Sequence, residues 1–363
     1  MSEGPPIRVG VVGVGWGALV HVPAYRAVQG FEVAALCARH PESVQAAGAR
    51  LGIPDVGTDW RSFVARDDLD LISIASPVTQ HADVCLAALA AGKHVLCEKP
   101  LALDAVEAHD LVQAEQETDR ATATCFELRW LPHKLAIWDL VDAGTLGVPY
   151  FARVCQSGAY WHPTHAAQSP WMYKRGEGGG YLMGQQSHEI DFVHTLLGES
   201  VAVCADVKTS VLQRELRDGS QVDVDADDTG NLLLRLASGA SAVLSSSVVG
   251  LHTMGQTLEM FGAHGTIVYD GAALRAGTVD DVQLTDRPVP VREPKSGVDL
   301  GTRRSAGMVR AMSLLLEEWQ PALSGEPAPR VPSWRDGWMV ARVIDAARAS
   351  SEGAGWIDLP LVQ

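Results

Sequence analysis

Ile7-Arg8-Val9-Gly10-Val11-Val12-Gly13-Val14-Gly15-Trp16-Gly17-Ala18 is the stretch that decides the fold. Residues 7–12 are mostly apolar and β-branched, as in a strand buried on both faces of a parallel sheet. They run straight into Gly13-Val14-Gly15-Trp16-Gly17-Ala18, and a helix-like stretch follows to about Val28. The pattern Gly-x-Gly-x-x-Ala between a strand and a helix has a physical reading. Its first glycine permits a tight turn, its second lets backbone approach a pyrophosphate, and its small third residue lets the helix pack on the strand. The helix N-terminus then faces the anion. The stretch predicts a dinucleotide-binding loop, with Gly13, Gly15, Trp16 and Gly17 against the cofactor.

Working outward, residues 31–37 form the next strand. A carboxylate that accepts from the ribose 2′-OH is expected about 20 residues beyond the glycines. Ala38 stands there instead, followed by Arg39, and Glu32 lies at the wrong end of the strand. A guanidinium with no acid to repel a phosphate favours NADP over NAD. Pro41 to Leu51 reads as a helix closed by Gly52, and Leu69 to Ala75 as a strand. Ser76-Pro77-Val78-Thr79-Gln80-His81 then opens a helix that runs to Ala91. Free N–H groups at a helix start suit a phosphate or ribose, which makes Ser76, Pro77, Thr79 and His81 cofactor candidates. His81 reads equally well as a partly buried structural histidine. The next strand, bounded by Gly92, stops at Glu98-Lys99-Pro100, because proline has no N–H to continue a central strand. A helix from Asp104 to Asp119 and a strand from Ala121 to Phe126 complete one doubly wound domain, 1–127.

Beyond it the texture changes. Pro132 to Ala143 is helical and ended by Gly144. Alternating runs follow at 150–157, 201–212, 231–236, 240–249, 257–261 and 265–269, separated by Gly, Asp and Ser turns. Runs of strands after βα units predict a second domain of α+β type, 128–363, with a large, mostly antiparallel open sheet. A helix from His188 to Leu197 interrupts it. Residues 280–301 read as an exposed loop, and 305–323 and 336–350 as helices, the last free to pack back on the first domain.

Composition sets limits. The chain has 363 residues, 47% of them hydrophobic and 20% charged, enough for two domains with real cores. A net charge of −15 argues against a nucleic-acid or anionic-membrane partner, which needs a basic patch. The 6 cysteines include no Cys-x-x-Cys pair, so neither a zinc site nor a disulfide framework is expected. Reduced thiols, no basic-apolar leader and no membrane-length apolar run point to the cytoplasm.

The residues singled out so far, with those that follow, resemble a known family: the glucose–fructose oxidoreductase, inositol dehydrogenase and MocA group. The resemblance rests on the 13–18 loop, Ser76-Pro77 with His81, and Glu98-Lys99-Pro100. It continues through Phe126, Arg129 and Pro132 to Gly144-Thr145-Leu146-Gly147-Val148-Pro149, then Gly178-Gly179-Gly180 and His188-Glu189-Ile190-Asp191. Asp336-Gly337 and Gly355-Trp356-Ile357-Asp358-Leu359 close it. The resemblance implies an NAD(P)-dependent oxidoreductase acting on CH–OH groups of sugars, cyclitols or related hydroxy and keto compounds. It implies a homodimer or homotetramer built through the C-terminal sheet. It also implies that the Glu-Lys-Pro lysine and an Asp-x-x-x-His pair flank the nicotinamide, with Glu98 and Arg129 on the cofactor side. Lys99 matches the lysine and His188 the histidine, but Gly184 stands where the aspartate belongs.

Hydride transfer is the cofactor's chemistry, and the protein must move one proton on or off the substrate oxygen. A lysine does this when its surroundings bring its pKa down from about 10.4, and histidine titrates near neutrality unaided. Without the aspartate three accounts are open: Lys99 and His188 act alone, another side chain substitutes, or turnover is lost. Substitutes and substrate contacts are sought among Tyr160, His162, His165, Trp171, Tyr181, Gln185 and Asp191, each of which also reads as a loop or packing residue. Trp161 and Tyr173 join the aromatic cluster, which suits either a sugar face or a core. Two rival functions remain: an NAD-dependent glycoside hydrolase working through transient oxidation, and a ligand sensor without catalysis.

Overall fold

The computed structural model describes residues 4–165, 167, 169–295 and 305–362. The chain divides into two compact units, Met1–Leu131 with Arg292–Trp338, and Pro132–Val291 with Met339–Gln363.

The first unit carries a parallel sheet of β1 (Ile7–Val12), β2 (Phe31–Cys37), β3 (Val56–Gly57), β4 (Leu71–Ile74), β5 (His94–Glu98) and β6 (Thr122–Cys125). Their order, β3-β2-β1-β4-β5-β6, is that of a dinucleotide-binding fold. The sequence reading missed β3, which has only two residues and no pattern to read. β1, β4 and β5 are almost wholly buried, which is why they read as apolar runs rather than alternations. The helices of this part are α1 (Val22–Arg26), preceded without a break by a π turn at Gly17–His21, then α2 (Pro41–Leu51), α3 (Trp60–Val64), α4 (His81–Ala90) and α5 (Ala105–Gln116). Asp59 and Asp104 cap α3 and α5 by accepting from two backbone N–H groups each.

The segment 292–338 joins this unit through packing that no local pattern announces. Trp130, Trp319 and Trp334 are each at most 2% exposed. Thr124 donates its N–H to Pro332 O at 2.9 Å, Trp130 Nε1 donates to Glu318 at 3.0 Å, and Ser313 donates to Ala24 O at 3.4 Å.

The second unit begins with α6 (Pro132–Asp142). Its main sheet takes β7 (Pro149–Ser157), β8 (Ser200–Lys208), β11 (Thr229–Leu236), β12 (Ser241–Ser247), β13 (Gly255–Gly262), β14 (Gly265–Tyr269), β15 (Leu274–Thr278), β16 (Thr285–Arg287) and β17 (Ile357–Asp358). The order is β16-β15-β14-β13-β7-β12-β11-β8-β17, and every pair is antiparallel except β7 with β12. A separate hairpin, β9 (Gln213–Glu215) with β10 (Gln221–Asp223), stands beside it. α7 (Ser187–Leu197) lies against β7 and β12. α8 (Ala306–Trp319) belongs to the first unit, and α9 (Trp334–Ala349) crosses from one unit's chain segment into the other's at Trp338.

Two differences from the sequence reading have local causes. The run 201–212 is not one strand, because the Ser210 and Val211 amides turn away to Asp228 Oδ2 at 2.9 and 3.0 Å. The stretch 280–301 is not all loop, since β16 pairs with β15 inside it; its part beyond 295 lies outside the described residues. The six cysteines are all free thiols. Among the described residues no helix is long and apolar enough to cross a membrane.

Candidate active site

The C-terminal ends of β1, β4, β5 and β6 present the site of the first unit, at the point where strand order reverses. Three glycines shape the loop after β1. Gly13 takes φ +106° and lies so close to the end of β4 that a Cβ there would stand 2.2 Å from Ala75 O. Gly17 packs on the strand, where a Cβ would meet Val11 Cγ1 at 2.9 Å. At Gly15 a Cβ would meet nothing within 4 Å, so the loop opens into free space there. Beside it the Ser76 hydroxyl oxygen is buried without a hydrogen-bond partner. Tight turn, open approach, close helix packing and a waiting hydroxyl fit a dinucleotide's phosphates. Trp16 is exposed next to this opening. Ala38 and Arg39 follow β2, with Arg39 exposed and its Nη2 at 3.3 Å from His40 Nε2.

His81 does not offer the cofactor a ring nitrogen. It is 2% exposed, with Nδ1 at 2.9 Å from Pro100 O and Nε2 at 3.0 Å from Ser76 O. Two carbonyl oxygens only accept, so both contacts are satisfied when both ring nitrogens carry protons. Burial pulls His81 down, but the neighbouring Cys97 and the two carbonyls raise it to about 9. Since burial keeps Cys97 itself a neutral thiol, we attribute the rise to the carbonyls. The ring ties the loop after β4 to the Glu-Lys-Pro turn. Arg129 likewise spends its guanidinium within the protein, on Arg330 O at 3.2 Å and near Asp336 at 3.8 Å. Thr79 and Pro77 stay exposed at the head of α4.

Beneath Lys99 lies a polar chain that the sequence reading missed. His21 is fully buried, with Nδ1 at 2.8 Å from Ser73 Oγ and Nε2 at 2.9 Å from Glu98 Oε1. The Lys99 backbone N–H donates to Glu98 Oε2 at 3.1 Å, and the Lys99–Pro100 peptide is cis. Glu98 pairs in register with Cys125 on β6, and two residues on stands Glu127, 2% exposed, its Oε2 at 3.8 Å from Cys125 Sγ. Burial acts to raise Glu98, but the His21 hydrogen bond and the charges of Lys99 and His81 hold it below the usual carboxylate range. Burial and then the Glu98 charge push Glu127 up to about 8. Donor atoms of His21, Glu98 and Cys125 lie within 4.8 Å of one another. Two of them, His21 and Glu98, are hydrogen-bonded directly to each other.

In the second unit, Asp227 organises the approach to His188. Its Oδ2 accepts from Leu182 N at 2.6 Å and its main-chain O from Tyr181 N at 2.9 Å. Gly180, at φ +108°, is required there, because a Cβ would stand 2.4 Å from Asp227 Oδ1. A π turn, Leu182–Gln186, then runs without a break into α7. Such turns re-aim side chains at functional sites. Here Gln186 Nε2 is fastened to Gly230 O at 3.1 Å and Ser187 Oγ to Met183 O at 2.7 Å. His188 is 3% exposed on the first turn of α7. Its neighbour Glu189 accepts from Lys134 Nζ with both oxygens at 3.0 Å, an ion pair 2% and 1% exposed. Phe192 lies under that ammonium at 4.7 Å. Lys134 was not singled out from the sequence, and Glu189 entered only as part of the 188–191 motif. A Cβ on Gly184 would meet nothing within 4 Å.

The remaining substrate candidates separate by burial. Tyr181 sits in a core cluster with Trp161 and Tyr173, ring centroids 6.2 and 5.2 Å from Trp161, so these three pack rather than line a cleft. Asp191 is 1% exposed inside α7. Tyr160 and Trp171 are exposed, Gln185 is half-buried, and His162 and His165 lie on the 158–165 loop with His162 Nδ1 at 2.8 Å from Thr164 Oγ1.

Comparison with known proteins fits this geometry. Residues 7–125 match the model of an oxidoreductase family with an NAD-binding Rossmann fold, and residues 135–268 match the GFO/IDH/MocA C-terminal domain. The chain belongs to the GFO/IDH/MocA oxidoreductase family. Levoglucosan dehydrogenase from Pseudarthrobacter phenanthrenivorans is 26% identical over 98% of this chain and 99% of its own. Myo-inositol 2-dehydrogenase from Thermotoga maritima is 24% identical over 76% of this chain and 79% of its own. A solved levoglucosan dehydrogenase in complex with NADH superimposes with TM-score 0.86 at 25% identity, over 98% of this chain and 100% of that one.

Proposed function

We propose that this GFO/IDH/MocA oxidoreductase transfers a hydride between a nicotinamide cofactor and a secondary hydroxyl or ketone of a sugar-like or cyclitol-like compound. The observation that carries the reading is the cradle at Gly13, Gly15 and Gly17, with the unpartnered Ser76 hydroxyl beside it. Relatives named for levoglucosan and myo-inositol support the substrate class. When bound, the cofactor supplies the hydride chemistry. Gly13 to Gly17 and the head of α4 bind it, while Lys99 and His188 move the hydroxyl proton. Ala38 and Arg39 favour NADP, since no acid stands at the end of β2 to repel a 2′-phosphate. The exposed face of the second unit's sheet supports a homodimer or homotetramer: Phe151 stacks on Phe261 there, and Leu233 is 45% exposed on β11. Free thiols, four of them buried, suit the cytoplasm.

The test is NAD(P)⁺ reduction over a panel of sugars and cyclitols. Lys99→Ala should lower turnover by about 10²- to 10⁴-fold and leave cofactor affinity nearly intact. Retained turnover would falsify the role of Lys99, and sugar release without net NAD(P)H would point to hydrolysis. Ala38→Asp should move the affinity ratio from NADP towards NAD; an unmoved ratio overturns the cofactor preference.

A further inference from the structure

The family resemblance expects an aspartate four residues before His188, and Gly184 stands at that position. The first unit holds two carboxyls of its own beside Lys99. β5 and β6 run parallel with Glu98 opposite Cys125, so both chains leave the sheet at the same end and at the same level. Lys99 follows on one and Glu127 on the other. Glu98 is committed, since one of its oxygens holds His21, which in turn holds Ser73, and the other accepts the Lys99 N–H. Glu127 is 2% exposed, and its Oε2 accepts from the Cys125 thiol at 3.8 Å. The carboxyl is thus buried one strand over from Lys99 and next to Glu98.

We propose that Glu127 is a positioning residue for Lys99, supplying from the end of β6 the carboxyl function that Gly184 does not. The proposal rests on the assignment of proton transfer to Lys99. In the oxidising direction the substrate carbinol gives up its hydride and its hydroxyl proton, and the proton passes to the Lys99 amine. The new ammonium charge favours the ionised form of Glu127, whose proton leaves to solvent, so the net charge of the cluster is unchanged. In reduction the ammonium returns its proton to the substrate oxygen and Glu127 takes one up. The groups that act on the two carboxyls are Lys99, His21 and His81 for Glu98, and Glu98, Lys99 and Cys125 for Glu127. Of these, Lys99 is the one whose charge changes in the reaction.

Two measurements test this. The first needs neither substrate nor cofactor. Infrared titration of the full chain should show a protonated-carboxyl band that disappears with a midpoint near pH 8. The band should be missing in Glu127→Gln. In Lys99→Met its midpoint should rise by about one unit or more, because the ammonium form of Lys99, which the free protein holds until the lysine gives up its proton for catalysis, favours the carboxylate. An ordinary carboxylate midpoint, or one that Lys99→Met leaves in place, overturns the coupling. The second uses whichever sugar or cyclitol of the panel the protein turns over. Glu127→Gln should lower kcat by roughly 10- to 100-fold, less than the loss of a direct proton-transfer group. It should change the pH profile and leave KM and NADP(H) affinity unaltered, and Glu127→Asp should recover most of the rate. An unchanged pH profile, or a loss shared equally by cofactor binding, overturns the positioning role. Retained turnover in Lys99→Ala, with the infrared coupling intact, sinks the Lys99 assignment instead and is told apart on that basis.

Discussion

Glu127 and Lys134 show how a few buried side chains set measurable properties. Glu127 has a folded-state pKa raised to about 8 from 4.5. The unfolded chain therefore releases this proton first as pH rises, and the folded state loses stability between about pH 4.5 and 8. Glu127→Gln should flatten that loss, gaining on the order of a few kcal/mol relative to the parent at pH 8 but little at pH 4.5. Urea unfolding at both pH values checks it, and parallel curves for the two proteins count against the burial argument. Lys134 and Glu189 form a buried pair at 3.0 Å. Lys134→Met strands a buried carboxylate and should cost about 3–5 kcal/mol, whereas Lys134→Met with Glu189→Leu should recover most of it. The Cβ of Gly184→Asp would meet nothing within 4 Å, so the variant's unfolding midpoint should stay close to the parent's. The sequence showed the bare position. Only the structure shows that it has room.

At the scale of elements, the second unit's π turn hangs on Asp227. Burial raises this carboxyl, while the Leu182 and Tyr181 amides favour its charged form. Asp227→Ala removes the acceptor of Leu182 N and should cost about 1–3 kcal/mol. Faster hydrogen exchange confined to residues 181–186 would show that the loss is local; uniform loss of protection would argue against an anchoring role. α6 has a pH-dependent contact of its own. Burial, with Lys134 beside it, lowers His133 to about 4, where it stacks on Tyr269 and meets Gln256 at 3.1 Å. A lowered histidine binds its proton later than the unfolded chain does. Its share of stability is complete above about pH 6.5 and is lost as pH falls towards 4. His133→Gln should shift the acid-unfolding midpoint to lower pH.

Across the whole molecule, the parallel sheet was legible because its strands are buried on both faces and its helices carry caps and closing glycines. α2 runs from Pro41 to Leu51 and is closed by Gly52, as its residues imply. The antiparallel sheet was legible where one face meets solvent, as on β11. The return of 292–338 to the first unit was not legible, since it depends on contacts such as Trp130 with Glu318 and Thr124 with Ser333, 188 and 209 positions apart in the chain. The exposed sheet face bears on assembly. Leu233→Glu with Phe261→Lys should reduce the proposed homodimer or homotetramer to monomers in light scattering without altering the circular dichroism spectrum. An unchanged mass would move the interface elsewhere.

The sequence by itself determined the cofactor loop, the lysine at the end of β5, the histidine on α7 and the missing aspartate. Each is a matter of residue identity at a fixed spacing along a strand or helix. Only the tertiary structure decided what those residues touch. His81 became a staple between two loops, three of the aromatic candidates became core, and His21, Ser73 and Glu127 were brought beside Lys99. The reason is physical. Spacing fixes local conformation, whereas burial and charge depend on which strands lie side by side, and β5 reaches β6 only through a crossover helix.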